Sequence, residues 1–250
     1  MSQPILVVRL GAMGDVIRTL RIDCAIDFQG LIKSSIVAKA SGAQRICGYH
    51  ASQTREGMAA WFYSEQHRAQ AEHIVDRHLE LARCCGATDS VAKFHLPEGK
   101  SEGTLPDRFV LASPFAGWPS KEWPLENYSR LAKLLPVPLV VNTHPAGAPL
   151  LQGLESVSVH VSSIAGLLHA TRRAAAVVGV DSGPLHIAAA LGKPGVAIFG
   201  PTDPKRNGPY GGSMRVLRYA RAVTSYQRSP QTDPSMLEIT PSMVAEALSL

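Results

Sequence analysis

The stretch 175–210 constrains this chain more than any other. It reads AAVVGVDSGPLHIAAALGKPGVAIFGPTDPKRNGPY. An apolar run, Ala176–Val180, meets a turn, Asp181-Ser182-Gly183-Pro184. A short Ala-rich helix follows and ends at Gly192. A second apolar run, Gly195–Phe199, then empties into Gly200-Pro201-Thr202-Asp203-Pro204. The turn sets an acid, a hydroxyl and a pliant backbone at the carboxyl end of a strand, where ligands of open α/β sheets bind. The helix it opens starts with N–H groups that lack internal partners. With the helix dipole they favour an anion such as a nucleotide diphosphate. On its own the turn equally suits a plain strand–helix connection, capped by Ser182 with Pro184 in the first helical turn.

The same alternation runs through the whole chain. Strands are expected at Ile5–Arg9, Asp23–Phe28, Phe109–Ala112, Leu139–Asn142, Val157–His160, Ala176–Val180 and Gly195–Phe199. Helices are expected at Gly14–Leu20, Leu31–Ala40, Thr54–Phe62, Glu72–Cys85, Leu125–Leu135, Ser163–Arg173, Pro184–Leu191 and Pro241–Leu250. Alternation of this kind implies parallel sheets covered by helices, an α/β class. A polar stretch rich in Gly and Pro, Pro97–Pro106, breaks the texture and reads as a linker. The expectation is two Rossmann-like domains, 1–105 and 106–250. Only residues 10–22 separate the first two strands, close to the dozen or so that a parallel crossover requires. The first domain is therefore short.

Composition narrows the function classes. With 250 residues, 45% hydrophobic and 18% charged, the chain can bury a core and is not of disordered composition. No apolar run nears the ~20 residues of a membrane span. The N-terminus lacks the charged head and apolar core of a signal peptide. Cys24, Cys47, Cys84 and Cys85 have neither zinc-site nor disulfide-framework spacing, so all are expected as reduced thiols of a cytosolic protein. The net charge of +5 and pI of about 9.1 suit an anionic substrate or an anionic membrane surface. Without an aromatic-interleaved basic patch, nucleic acid ranks last.

Three further segments carry chemistry. Arg9-Leu10-Gly11-Ala12-Met13-Gly14-Asp15 is a G-x-x-G-D turn, unlike the dinucleotide G-x-G-x-x-G pattern. Asp15 there either complements the helix dipole or serves as a general base. The loop Ser113-Pro114-Phe115-Ala116-Gly117-Trp118-Pro119-Ser120-Lys121-Glu122-Trp123-Pro124 follows a strand. Lys121 there is either a solvated cation or a partner for phosphate charge, and Trp123 is a candidate staple to the next helix. Asp27-Phe28-Gln29-Gly30-Leu31-Ile32-Lys33-Ser34 and Gln53-Thr54-Arg55-Glu56 carry exposed cations, Lys33 and Arg55. His73 reads as structural. His186 has a better claim to a site, one turn into the helix after Asp181. The absence of Asp-x-Asp and of His/Cys clusters requires no metal, and a missing G-x-S-x-G elbow argues against a serine hydrolase.

Asp181-Ser182-Gly183-x-x-His186 with Phe199-Gly200-Pro201-Thr202-Asp203-Pro204 resembles the donor region of bacterial lipopolysaccharide heptosyltransferases. The Lys121-Glu122-Trp123-Pro124 ending, the Asp27–Ser34 stretch and Gln53–Glu56 are similar to the same family, closest to its heptosyltransferase I branch. The resemblance implies a GT-B fold whose two Rossmann-like domains face an interdomain cleft, with the last helix crossing back to the first domain. It implies an inverting glycosyltransferase that moves heptose from ADP-heptose to a Kdo sugar of a lipid A-type acceptor, without cofactor or obligatory metal. Asp15 is then the catalytic base. Lys121, Asp181, Ser182, Gly183, His186, Ser113, Gly117 and Ser163 face the donor, and Gly14, Gln29, Lys33 and Arg55 face the acceptor. The family carries more elements between the first two strands than this chain does, which bears on acceptor binding. A monomer at the cytoplasmic face of the inner membrane is expected. Use of another nucleotide sugar, and a non-catalytic nucleotide-binding protein, stand as the alternatives.

Overall fold

The structure is a computed structural model that describes residues 5–8, 22–88 and 94–249. It divides into two compact units, Met1–Ala92 and Lys93–Leu250.

The first unit runs β1 (Ile5–Val8), β2 (Cys24–Asp27), α1 (Ile32–Ala40), β3 (Arg45–Tyr49), β4 (Glu65–His67) and α2 (Ile74–Cys84). Its four strands form one parallel sheet in chain order. Successive residues of β2 point to opposite faces, and both faces are covered. Ala25 packs with Ala38, Ile46, Ala59, Ala60 and Tyr63. Cys24 and Ile26 pack with Cys47, Tyr49, Leu81 and Cys85. The helix expected over Thr54–Phe62 is a 3-10 turn at Gly57–Phe62. β3 and β4 were not expected. β4 is three polar residues, Glu-Gln-His, and β3 is interrupted by Gly48. That glycine is required, because a Cβ there would collide with the Tyr63 ring.

The second unit holds β5 (Val110–Ser113), α3 (Leu125–Ala132), β6 (Leu139–Thr143), β7 (Val157–Val161), α4 (Ile164–Arg173), β8 (Ala176–Val180), α5 (Gly183–Ala190), β9 (Gly195–Phe199), α6 (Pro204–Asn207), β10 (Met214–Arg218), α7 (Pro234–Leu237) and α8 (Pro241–Leu248). The sheet is parallel throughout, in the order β10-β9-β8-β5-β6-β7. The chain starts at the centre in β5 and winds out through β6 and β7. It returns beside β5 as β8 and winds out the other way. Strand order therefore reverses between β5 and β8, and a crevice at the carboxyl ends of such a pair is where doubly wound folds take ligands. Val110, Val141, Val178 and Ile198 fill the core on one face; Leu111, Val140, Val177 and Phe199 fill it on the other.

The boundary between the units falls earlier than expected, because residues 94–105 belong with the second unit. Arg172 donates to the carbonyls of Leu96 and Pro97 at 2.7 and 3.1 Å, and Lys100 N–H donates to Ala165 O at 2.9 Å. Gly99, at φ +83°, lets the chain lie against α4, where a Cβ would collide with Ala165 O. Glycine and proline here shape a strap. The last helix, α8, buries Val244 and Leu248 in the core of the second unit, against α3 and β9.

Candidate functional site

The reversal point gathers the residues that the sequence singled out in the second unit, Ser163 excepted. After β5 the chain passes Ser113, itself buried, and Gly117, then makes a 3-10 turn at Pro119–Lys121. Trp123 fixes that loop from below. It is buried, donates from Nε1 to Ile239 O at 2.8 Å and meets Tyr128 edge-on at 5.1 Å. So Trp123 is the staple, and it aims the preceding lysine across to β8. Lys121 Nζ donates to Asp181 O at 2.7 Å and to Asp181 Oδ2 at 3.1 Å. The two residues are 8% and 7% exposed, so this is a buried ion pair. His186, one turn into α5, brings Nε2 within 3.6 Å of Asp181 Oδ1.

Burial pushes the Asp181 carboxyl up. His186, Lys121 and Thr202, the last from the loop after β9, outweigh it and hold the group below the ordinary carboxylate value. Lys121 Nζ also stands 4.1 Å from the centre of the Trp118 ring, and the Arg228 guanidinium stands 5.3 Å from it. Both are within cation–π range.

Around this pair lie polar atoms with nothing to bond. Ser120 Oγ, Ser182 Oγ and Trp118 Nε1 are buried without a hydrogen-bond partner. Each such group costs about 1–3 kcal/mol unless something satisfies it. Ser182 is the N-cap residue of α5, yet its side chain makes no capping bond, so the first turn of α5 retains free donors. Gly117 and Gly183 face open space. A groove of about 380 Å³ lined by Ser120, Pro201, Ser225, Arg228 and Asp233 adjoins them. Cations, unsatisfied hydroxyls and an open helix start suit a polyhydroxylated anion. Arg228 was missed by sequence reasoning, because it lies in an irregular segment; its contact with Trp118 arises only in the fold.

Ser163 is the N-cap residue of α4. It sits past β7, with β6 and β5 between its strand and β8. Its hydroxyl donates to Glu102 Oε1 at 2.7 Å, its N–H donates to Glu102 Oε2 at 2.8 Å, and Oγ accepts from Ala165 and Gly166 N–H. The chain's own carboxylate sits at this helix start, and these bonds hold Glu102 below the ordinary carboxylate range.

In the first unit, the general-base candidate Asp15 and the adjacent Gly14 lie outside the described residues. Asp27 is described. It is fully buried and accepts from Gln29 N–H at 2.8 Å, Gly30 N–H at 3.3 Å, Ser34 Oγ at 2.7 Å and Tyr63 OH at 2.7 Å. It orients a loop. Gly30, at φ +64°, turns that loop against Thr54. Glu56 N–H donates to Gly30 O at 3.0 Å, and Glu56 Oε2 accepts from Ile32 N–H at 2.6 Å. The segments bearing Lys33 and Arg55 are thus tied together, with both cations exposed and Gln29 half-buried between β2 and α1. His73 is structural, since its ring accepts from Val75 N–H and caps α2.

Residues 11–137 and 151–234 match glycosyltransferase family 9 (heptosyltransferase). The chain belongs to glycosyltransferase family 9. It is 30% identical over 234 residues to lipopolysaccharide heptosyltransferase 1 of Escherichia coli, covering 84% of this chain and 70% of that protein. It is 32% identical over 214 residues to the enzyme of that name from Pseudomonas aeruginosa, covering 77% and 58%. Lipopolysaccharide heptosyltransferase 2 of E. coli is 32% identical over 217 residues, covering 70% and 60%. Among solved structures, E. coli heptosyltransferase WaaC with ADP superposes with a TM-score of 0.69 at 25% identity, over 92% of this chain and 73% of that one. The family-9 assignment makes this chain a glycosyltransferase with the GT-B type of parallel-sheet fold. It spans only part of each relative's length.

Proposed function

We propose that this family-9 chain binds ADP-heptose at the β5/β8 reversal point and transfers heptose, with inversion, to a Kdo sugar of the lipopolysaccharide inner core. The observation that carries the donor half is the buried Lys121–Asp181 pair ringed by unsatisfied Ser120, Ser182 and Trp118 groups. Lys121 meets the charge that grows on the leaving diphosphate. The free N–H groups of α5 and the Ser182 hydroxyl take its oxygens, and Asp181 with His186 fixes the lysine. The WaaC structures with ADP and with ADP-2-deoxy-2-fluoro heptose support this choice of donor. Relatives named heptosyltransferase 1 and 2 are both similar, and the Asp27–Ser34 stretch favours the first. Asp15 is the proposed base and Lys33 and Arg55 the proposed acceptor cations; a basic surface suits a lipid-linked acceptor at an anionic membrane face.

The test is donor binding, followed by calorimetry. ADP and ADP-heptose should stabilise the chain, since a ligand of the folded state raises its melting temperature. Ser182→Ala and Arg228→Gln should each weaken ADP by roughly 5–15-fold, the worth of one hydrogen bond or exposed contact. Uniform response to every nucleotide diphosphate, or none to ADP, would remove the reading. Asp15→Asn should leave ADP binding intact and slow turnover by roughly 10²–10⁴.

A further inference from the structure

Three of the four cysteines stand together in the first unit. Cys24 lies on β2, Cys47 on β3 and Cys85 just past α2. The parallel register pairs Cys24 with Arg45 and Ile26 with Cys47. The two cysteines are therefore one pleat apart on the same face of the sheet. α2 covers that face and brings Cys85 to it. The three Sγ atoms lie within 4.8 Å of one another, with Cys24 and Cys47 at 3.7 Å. They are 4%, 2% and 5% exposed, among Ile26, Tyr49 and Leu81. An ion held trigonally by three sulfurs at ~2.3 Å needs sulfur–sulfur edges of about 4 Å. The triangle already has nearly that size.

We propose that Cys24, Cys47 and Cys85 form a three-coordinate thiolate site for a soft d10 ion, and that Cu(I) is the ion it fits. Thiolates select soft ions. Structural zinc closes its shell with a fourth ligand, and among the described residues no fourth group joins the triangle. Glu65 approaches Cys47 at 3.7 Å, but Arg45 holds its carboxylate with bonds of 2.6 and 2.9 Å. Burial pushes Cys47 far up and Cys85 to about 11. On binding, each thiol that ionises releases one proton and its sulfur takes up a bond to the ion; copper keeps its oxidation state. The Arg45 guanidinium, beside Glu65 and the cysteines, balances part of the resulting negative charge. The ion ties β2, β3 and the end of α2, and stabilises the unit by linkage.

The full reduced chain is titrated with Cu(I) under anaerobic conditions against a chromophoric chelator. One ion per chain is expected, with three sulfurs around copper by X-ray absorption. Cys24→Ala and Cys85→Ala should lower affinity by more than the roughly 10–100-fold that losing an outer-shell partner costs. Cys84→Ser, at an exposed thiol 3.1 Å from His67, should leave it unchanged. Circular dichroism checks the folding of each variant, and the absorption measurement needs no variant. Coordination by fewer than three sulfurs, an equal loss in Cys84→Ser, or tighter binding of zinc than of Cu(I) overturns the proposal. ADP binding is measured alongside and should not change in any of them.

Discussion

Replacing Lys121 by methionine removes the charge and keeps the length of the side chain. It also strands the Asp181 carboxylate at 7% exposure, without the bonds of 2.7 and 3.1 Å that Lys121 supplied to that residue. Breaking a buried pair from one side costs ~3–5 kcal/mol. His186 and Thr202 remain, so roughly 2–4 kcal/mol is expected here. For a unit of this size that is a fall in melting temperature of about 4–16 °C. The pH dependence carries the argument. In the wild type the Asp181 carboxyl lies below its ordinary value. Its ionised form therefore contributes stability that is present above the ordinary carboxylate range and lost as pH falls through the depressed value. Without Lys121, burial dominates and the carboxyl rises. The folded variant then accepts a proton more readily than its unfolded chain, and the gap to wild type closes as pH falls toward the ordinary carboxylate range. His186 is titratable and faces the same carboxylate, so the melts are repeated in a His186→Gln background. Lys121→Met/Asp181→Leu should recover most of the loss, because no charge is left unpaired. A gap that stays constant with pH, or a double variant no better than the single, would refute the reasoning.

Three other outcomes are expected. Gly48→Ala should destabilise the first unit by about 1–3 kcal/mol, read by urea melts, because its Cβ would drive into the Tyr63 ring. Asp27→Ala should cost about 3 kcal/mol or more by the same assay, since it strands four donors. Glu102→Ala should make the segment 94–106 sensitive to limited proteolysis while leaving ADP affinity unchanged, as Glu102 serves Ser163 and not the β5/β8 site.

Much of the second unit was legible because its strands are unbroken apolar runs. Ala176–Val180 and Gly195–Phe199 were read to the residue. β10 was not, because Met-Arg-Val-Leu-Arg is an edge strand whose charges hide its pattern. What local pattern cannot carry is pairing across the sheet. Lys121 and Asp181 are distant in sequence and meet only because β8 returns beside β5. The same holds for Cys24, Cys47 and Cys85, whose spacing matches no metal motif until register and helix packing bring them together. The polar Gly/Pro stretch misled for a related reason: composition reported flexibility, while Arg172, His160 and Ser163 hold it in place.

That strap decides where the molecule can be divided. A gene fragment starting at residue 106 would discard Glu102, and with it the bonds that Glu102 makes to Ser163 and to the His160 ring. One starting at 94 keeps them. The second unit should therefore be recoverable as a separate, soluble piece only when it carries the dozen residues upstream that, by composition alone, look disposable.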